Sequence, residues 1–300
     1  MSADAPVVDI LIPYWGDPEY ARQAVESVLA QRDPSWRLTV VDDAYPGTEL
    51  AEHLKELAHP QVRYIRKDQN AGITENFRTC VRLAELPLTV VLGCDDRLLP
   101  DYVEQVIGAY RRFPDAAIIQ PGVEVIDQTG MVVRPLVDRV KTNLIKPRGQ
   151  GHRVLAGEQL AANLLTGDWL YWPSLAFRTE RLQRYSFRDG FPVTQDLALI
   201  MDMVFAGEQL VTFDTICFQY RRHQQSASSV ELIDGSRFAA ERQYFALAAE
   251  LASAKGWRRA VRAAHTRLTS RAHALTVTPR ALLHGEFGAV ASFLRHALGN

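Results

Sequence analysis

Cysteine is scarce: Cys80, Cys94 and Cys217 are spread over a chain of 300 residues. Their separation rules out a local zinc knuckle and argues against a disulfide framework, which fits a reducing cytosol. Neither sign of charge is in excess, with 34 Lys and Arg against 35 Asp and Glu, so no nucleic-acid partner is expected. Long apolar runs are missing as well. The most apolar window, around Leu86–Cys94, is far shorter than the roughly 20 residues of a membrane-spanning helix. The N-terminal MSADAPVVD carries acids where a secretory signal carries lysines. These absences predict a cytoplasmic protein, at most peripheral at the inner face of a membrane. No Gly-x-Gly-x-x-Gly follows the first apolar run, and there is no Walker lysine loop and no Gly-x-Ser-x-Gly elbow. Any diphosphate would therefore be held by metal and side chains, without a glycine cradle.

What is present is an ordinary globular composition, 47% apolar and 23% charged, enough for a self-sufficient core. Strand-like and helix-like patterns alternate over the first 120 residues. Val7–Ile12 is an apolar run that Pro13 is expected to stop. Asp17-Pro18 then suits a helix entry, with Asp as N-cap and Pro in the first turn. Leu38–Val41, Val62–Ile65, Leu88–Leu92 and Ala117–Ile119 read as strands, and Ile73–Ala84 and Tyr102–Arg112 as helices. Such alternation predicts an α/β fold with a mostly parallel sheet covered by helices on both faces. Further on, Val123–Ile126 and Met131–Arg134 read as a hairpin, and the basic, Gly-rich 138–153 stretch as a mobile loop. Asp196–Phe205 reads as a short helix and Leu210–Tyr220 as extended. From Gly235 onward the pattern is helical, with ten Arg or Lys against three Glu.

In parallel sheets ligands bind beyond the carboxyl ends of the strands. Pro13-Tyr14-Trp15, Asp42-Asp43 and Asp95-Asp96 all stand at such ends. Each acidic pair has two readings, a turn former or a cation site. Two pairs at one sheet edge favour the second, with a divalent cation and a nucleotide diphosphate as counter-charge.

The residues resemble the family 2 glycosyltransferases, inverting enzymes of the GT-A fold. VDILIPYWGDPEYARQAVESVLAQ is similar to that family's opening strand, proline turn and helix, and LTVVDDAYPGT to its second strand with an acidic pair. NAGITENFRTC is similar to the Asn-x-Gly segment, and GCDDRLLP stands where the metal-binding Asp-x-Asp motif belongs. TQDLALIMDMVFAG resembles the segment of the catalytic base, and YRRHQQSAS the Tyr-Arg-x-His stretch near the active site. The resemblance covers about residues 7–230. It implies a Rossmann-like GT-A sandwich over 1–230, with a nucleotide-binding half (1–120) and an acceptor half (121–230). Residues 231–300 would form a helical extension.

By position, the resemblance implies Pro13, Tyr14 and Trp15 at the nucleobase, Asp43 on its ring, and Asn70, Gly72 and Arg78 around the donor. Asp95 would contact ribose or metal, and Asp96 and His223 would serve Mn2+ or Mg2+. Asp196 would be the general base. The implied partners are a UDP- or dTDP-sugar and a glycan, lipid-linked or small-molecule acceptor. Gly93 stands where many members carry an acid, which predicts the loss of one contact. Gln195 replaces the usual Glu, which removes a like charge and leaves Asp196 ionised at neutral pH.

Apart from the motifs that carry the resemblance, Trp169 and Trp172 either stack on an acceptor sugar or pack the sheet edge, and Asp168 beside them could bond acceptor hydroxyls. The basic tail is a solvated face, a dimer contact or a surface attracted to an anionic membrane. The alternative function is a nucleotide-sugar or glycan-binding module of the same fold without catalysis.

Overall fold

The computed structural model describes residues 7–147, 149–191, 193–223, 236–283 and 287–298. Its centre is a mixed sheet in the order β3-β2-β1-β4-β9-β6-β10-β5. The parallel half comprises β1 (Val8–Tyr14), β2 (Trp36–Asp42), β3 (Val62–Arg66) and β4 (Leu88–Val91). β9 (Ala176–Arg178) runs antiparallel between β4 and β6 (Ala116–Ile126), and β10 (Gln209–Arg221) then lies parallel to β6. The short strands β5 (Arg97–Leu98) and β8 (Arg153–Leu155) pair with β10, and β7 (Val132–Val133) with β6.

Both faces of β1 are buried, which is why its sequence is an unbroken apolar run. Val8, Ile10 and Ile12 join one core with Val25 of α1 (Pro18–Leu29) and Val103 of α4 (Tyr102–Arg112). Leu11 joins the opposite core with Cys80 of α3 (Ile73–Leu83). Pro13 does not stop the strand. It pairs with Val41 as β1 continues to Tyr14, since a proline needs only a register position that asks no N–H of it. Asp17 caps α1 as its sequence predicts, accepting the Glu19 N–H at 2.8 Å.

Four helices, Glu49–Leu57, Leu136–Val140, Gly157–Thr166 and Thr179–Leu182, go beyond the sequence reading. α2 (Glu49–Leu57) buries only Leu50 and Leu54, too sparse a stripe to read from the pattern. The stretch read as a loop over 138–153 is helical in its first part: α5 (Leu136–Val140) runs into a π turn at Lys141–Ile145. α6 (Gly157–Thr166) follows β8. After α7 (Thr179–Leu182), α8 (Gln195–Phe205) is buried along nearly its whole length. The expected hairpin forms between β6 and β7, with Asp127 Oδ1 accepting from the Thr129 and Met131 N–H groups at the turn.

The C-terminal helices are α9 (Ser236–Ala254), α10 (Arg258–Thr266), α11 (Leu268–Leu283) and α12 (Phe287–Leu298). α9 packs on α8 and α10 on α6, so this region is fastened to the sheet domain. The expected boundary at 230/231 lies outside the described residues. No helix among them is long and apolar enough to cross a membrane.

Candidate functional site

The carboxyl ends of β1, β2 and β4 lie side by side, and each carries the residues singled out from sequence. At the end of β1, Pro13 and Tyr14 are buried, whereas Trp15 is 48% exposed and meets Tyr45 edge-on at 5.7 Å between centroids. Burial pushes the Tyr14 phenol well above its ordinary range, and Tyr14 also packs on Tyr45 at 5.0 Å.

At the end of β2 the Asp42–Asp43 pair is buried and committed to protein donors. Asp42 accepts from the Tyr45 N–H at 2.7 Å, from Arg66 at 2.9 Å and from the Tyr64 hydroxyl. Asp43 Oδ1 accepts from Lys67 Nζ at 2.9 Å, and Asp43 Oδ2 from the Gly72 N–H at 2.9 Å. The Ala71 N–H is shared between both Asp43 oxygens at 3.2 Å. Asn70 Oδ1 also accepts from Gly72 N at 2.9 Å. Gly72 has φ +85, a left-handed value that a side chain would strain, and it opens α3.

After β4 the chain turns tightly, with the Asp96 N–H donating to Gly93 O at 3.1 Å. Asp95 Oδ2 bonds His223 Nε2 at 2.8 Å, and Asp96 Oδ1 accepts the Arg221 N–H at 2.8 Å. The Arg221 side chain, 1% exposed, clamps the turn: its Nε donates to Asp95 O at 2.7 Å and its Nη2 to Gln23 Oε1 at 2.9 Å. Its Nη1 reaches the carbonyls of Asp127 and Gln128 at 3.2 and 3.3 Å. Asp96 is 1% exposed, and its Oδ2 has no hydrogen-bond partner. Burial, then the adjacent Asp95 charge, pushes the Asp96 carboxyl well above its ordinary range. A buried carboxylate oxygen without a donor is costly unless a positive charge meets it, so a divalent cation fits the turn.

Among the described residues no three His, Cys, Asp or Glu side chains converge as a ligand set. His223, expected on the metal, bonds Asp95 through its Nε2. Magnesium-type cations commonly take one or two carboxylates and complete their shell with phosphate and water.

Asp196 stands at the head of α8, where its Oδ1 accepts the Leu197 N–H at 2.8 Å. The preceding Gln195 is buried and accepts from Thr74 Oγ1 at 2.6 Å, tying the head of α8 to the head of α3. Tyr220 precedes Arg221 on β10; burial first, and then the charges of Asp96, Asp95 and Asp196, raise its phenol. Lys141, on the π turn, has its ammonium 5.2 Å from the Tyr171 ring. Burial lowers its pKa, against the opposing pull of Asp168, Asp138 and Asp196. Asp138 is buried and holds Arg222 through two bonds of 2.7 and 2.8 Å, as well as the Tyr171 hydroxyl at 2.7 Å. Asp168 accepts the Leu170 N–H at 3.0 Å.

Three expected contacts are not brought to this place. Arg78 donates to Phe187 O at 2.6 Å and to Asp189 at 2.5 Å, which commits it to the 187–189 segment. Trp169 and Trp172 are 3% and 6% exposed, so the packing alternative holds and neither offers an open ring to a sugar. Trp169 Nε1 donates to Asn163 at 2.6 Å, and Trp172 packs among Phe77, Phe177 and Phe187. Sequence reasoning missed Asp138, Lys141, Tyr220 and Arg222 as neighbours of the site and Arg221 as its clamp. Tyr220, Arg221 and Arg222 stood in a stretch already singled out. Asp138 and Lys141 were hidden in the supposed loop. Residues 224–228 of that stretch lie outside the described residues.

Comparison with known proteins bears on the family and the fold. Residues 9–157 match the family model Glycosyl transferase family 2. A chondroitin synthase of Escherichia coli is 26% identical over 233 residues, 76% of this chain and 30% of that protein. Staphylococcus aureus TarS, solved in complex with UDP-GlcNAc, superposes with a TM-score of 0.65 at 12% identity, over 97% of this chain and 90% of that one. A Pyrobaculum calidifontis mannosyltransferase in complex with GDP-Man and Mn2+ superposes with a TM-score of 0.61 at 16% identity, over 98% and 86%. At such identities these structures establish the fold, which is of the GT-A type. The chain spans between 14% and 74% of the length of the first curated relatives that it matches.

Proposed function

We propose that this chain, which belongs to the family 2 glycosyltransferases through its domain at residues 9–157, moves a sugar from a nucleoside-diphosphate donor to an acceptor hydroxyl with inversion. The observation that carries this reading is the buried Asp96 Oδ2 without a hydrogen-bond partner, beside Asp95 in the turn after β4, where a cation and a diphosphate would supply the missing charge.

The donor is a UDP- or dTDP-sugar. Its base lies beside the exposed face of Trp15, over the turn of Asn70 and Gly72. Asp43 acts there by holding that turn, since its oxygens already accept from Lys67 and from the Ala71 and Gly72 N–H groups. Asp96, with Asp95, would hold Mn2+ or Mg2+, which when bound supplies positive charge to the departing diphosphate. His223 and Arg221 fix the orientation of the two aspartates. Asp196 accepts the proton of the acceptor hydroxyl as the new bond forms, a contribution of roughly 10²–10⁴-fold. Attack from the side opposite the diphosphate inverts the anomeric carbon.

The test is release of nucleoside diphosphate from a panel of UDP-, dTDP- and GDP-sugars with Mn2+ and candidate acceptors. Turnover with one donor, abolished by Asp196→Asn while donor binding persists, is the expected result. Near-normal turnover in that variant would remove Asp196 from the role. Binding of a donor with no transfer to any acceptor, and no hydrolysis, would favour a binding module.

A further inference from the structure

α9 and α10 pack as a hairpin about the 255–257 turn, and an open groove of about 450 Å³ runs between them, within the range of ligand sites. Its floor is apolar, made by Phe245, Ala249, Val261 and Ala264. Because the two helices run in opposite directions, Arg242 and Arg267 stand together at the end away from the turn. Glu250, the acid on the groove wall, lies further along α9, about 12 Å from Arg242 at 1.5 Å of rise per residue. The charges at the arginine end do not balance. Burial, then the charges of Arg271 and Arg242, lower the Arg267 guanidinium against the opposing pull of Glu241. Glu241 itself accepts from the Ser270 hydroxyl. His296, 3.4 Å from Arg242 Nη1, is buried and pushed down to about 4 by that burial, so it adds no charge at neutral pH. Arg271 Nε is buried without a hydrogen-bond partner. Three guanidinium groups thus share one carboxylate, and an anion would supply what is missing.

Two further features surround this cluster. Arg267 joins α10 to α11 with φ +47, a left-handed backbone at which glycine is the usual residue, so an arginine there costs stability that glycine would not. Along α11, Leu268, Leu275 and Leu282 recur at seven-residue intervals and are 63%, 53% and 50% exposed. Arg271, three residues after the first leucine and four before the second, lies between them on that face. We infer that this end of the molecule binds a phosphate-headed lipid at an anionic membrane surface. The head lies on Arg242, Arg267 and Arg271, one apolar chain follows the groove, and the leucines enter the bilayer interface. A soluble anion would satisfy the arginines but leave the leucines and the groove floor in water. A second copy of the chain, related by a two-fold axis, would bring the same arginines against each other. A lipid surface answers both the charge and the apolar area. None of these residues belongs to the sugar-transfer site, so the inference stands apart from that reading.

The experiment is co-sedimentation of the full chain with vesicles of mixed phosphatidylglycerol and phosphatidylcholine, and with vesicles of phosphatidylcholine alone. Wild type should bind the anionic vesicles and not the neutral ones. Arg267→Gly and Arg271→Gln should each weaken binding about fivefold, and together about 25-fold. Leu275→Asn should weaken it as well, with no change of charge. Arg258→Gln, at the turn end of the hairpin, should leave it nearly unchanged. Melting temperatures without vesicles check the fold, and Arg267→Gly should melt no lower than wild type; if it does not fold, Arg271→Gln decides in the same way. A wild type that ignores anionic vesicles would overturn the inference, as would an Arg258→Gln variant weakened as much as Arg267→Gly, which would mean diffuse attraction. Displacement from vesicles by inorganic phosphate, but not by chloride of equal ionic strength, would assign the arginines to a soluble anion instead. A dimer in sedimentation velocity that Leu275→Asn dissolves, without vesicle binding, would give the face to a second copy.

Discussion

Two pairs of adjacent aspartates end the two strands that flank β1, and the molecule treats them in opposite ways. Asp42 and Asp43 are surrounded by donors: Arg66, Lys67, Tyr64 and three backbone N–H groups absorb their charge. Asp95 and Asp96 receive one partner per carboxylate, His223 and the Arg221 N–H, and Asp96 Oδ2 is buried with no partner at all. The same dipeptide at equivalent strand ends is thus complete in one place and incomplete in the other. A satisfied buried acid contributes to folding, whereas an unsatisfied one costs stability until a ligand supplies the missing charge.

The comparison makes predictions of decreasing size. The largest concerns the reaction that the incomplete pair serves: Asp196→Asn should lower kcat by roughly 10²–10⁴-fold with little change in donor affinity, measured by single-turnover kinetics and calorimetry. Next, Asp42→Ala should destabilise the fold by about 2 kcal/mol, because it leaves the part-buried Tyr45 N–H and Tyr64 hydroxyl without their acceptor. Urea unfolding checks this, and an unchanged midpoint would break the contrast between the pairs.

Asp96→Asn should do the reverse, leaving the metal-free protein as stable as wild type or more so. The pH dependence follows from the sign of its shift. Burial and Asp95 raise the folded-state pKa of Asp96 above its ordinary 3.8, so the folded protein holds the proton more tightly than the unfolded chain. That contribution is full below the ordinary value and is lost as pH climbs through the raised one. Metal-free wild type should therefore lose stability over that rise relative to Asp96→Asn, read from melting temperatures at successive pH values. The smallest effect is expected of Gln195→Ala, about 1 kcal/mol from the lost Thr74 bond. A modest fall in kcat should accompany it as the head of α8 loosens.

The parallel half of the sheet was legible because its strands are buried on both faces and its helix entry at Asp17-Pro18 is capped as the residues suggest. The hairpin around Asp127 was legible for its turn chemistry. α2 escaped notice because two buried leucines do not make a periodic stripe. The 136–145 helix was masked by its charges, which are absorbed by contacts that only the tertiary structure supplies, such as Arg222 on Asp138. In the site, the acidic pairs, Asp196 and His223 could be picked out as residue types at strand and helix ends. Which pair was incomplete could not, because that depends on Arg221, 125 residues from Asp96. The two tryptophans show the converse. Their burial depends on packing against Asn163 and Phe177, which their own segment does not announce.

The central claim is that the 95–96 pair, and not the 42–43 pair, awaits a cation and a diphosphate. Titration calorimetry of UDP into wild type and Asp96→Asn, each with Mn2+ and with chelator, tests it most directly. The account predicts that Mn2+ strengthens UDP binding to wild type and that Asp96→Asn loses this enhancement while keeping the weaker, metal-free binding. An enhancement that survives in Asp96→Asn would contradict it.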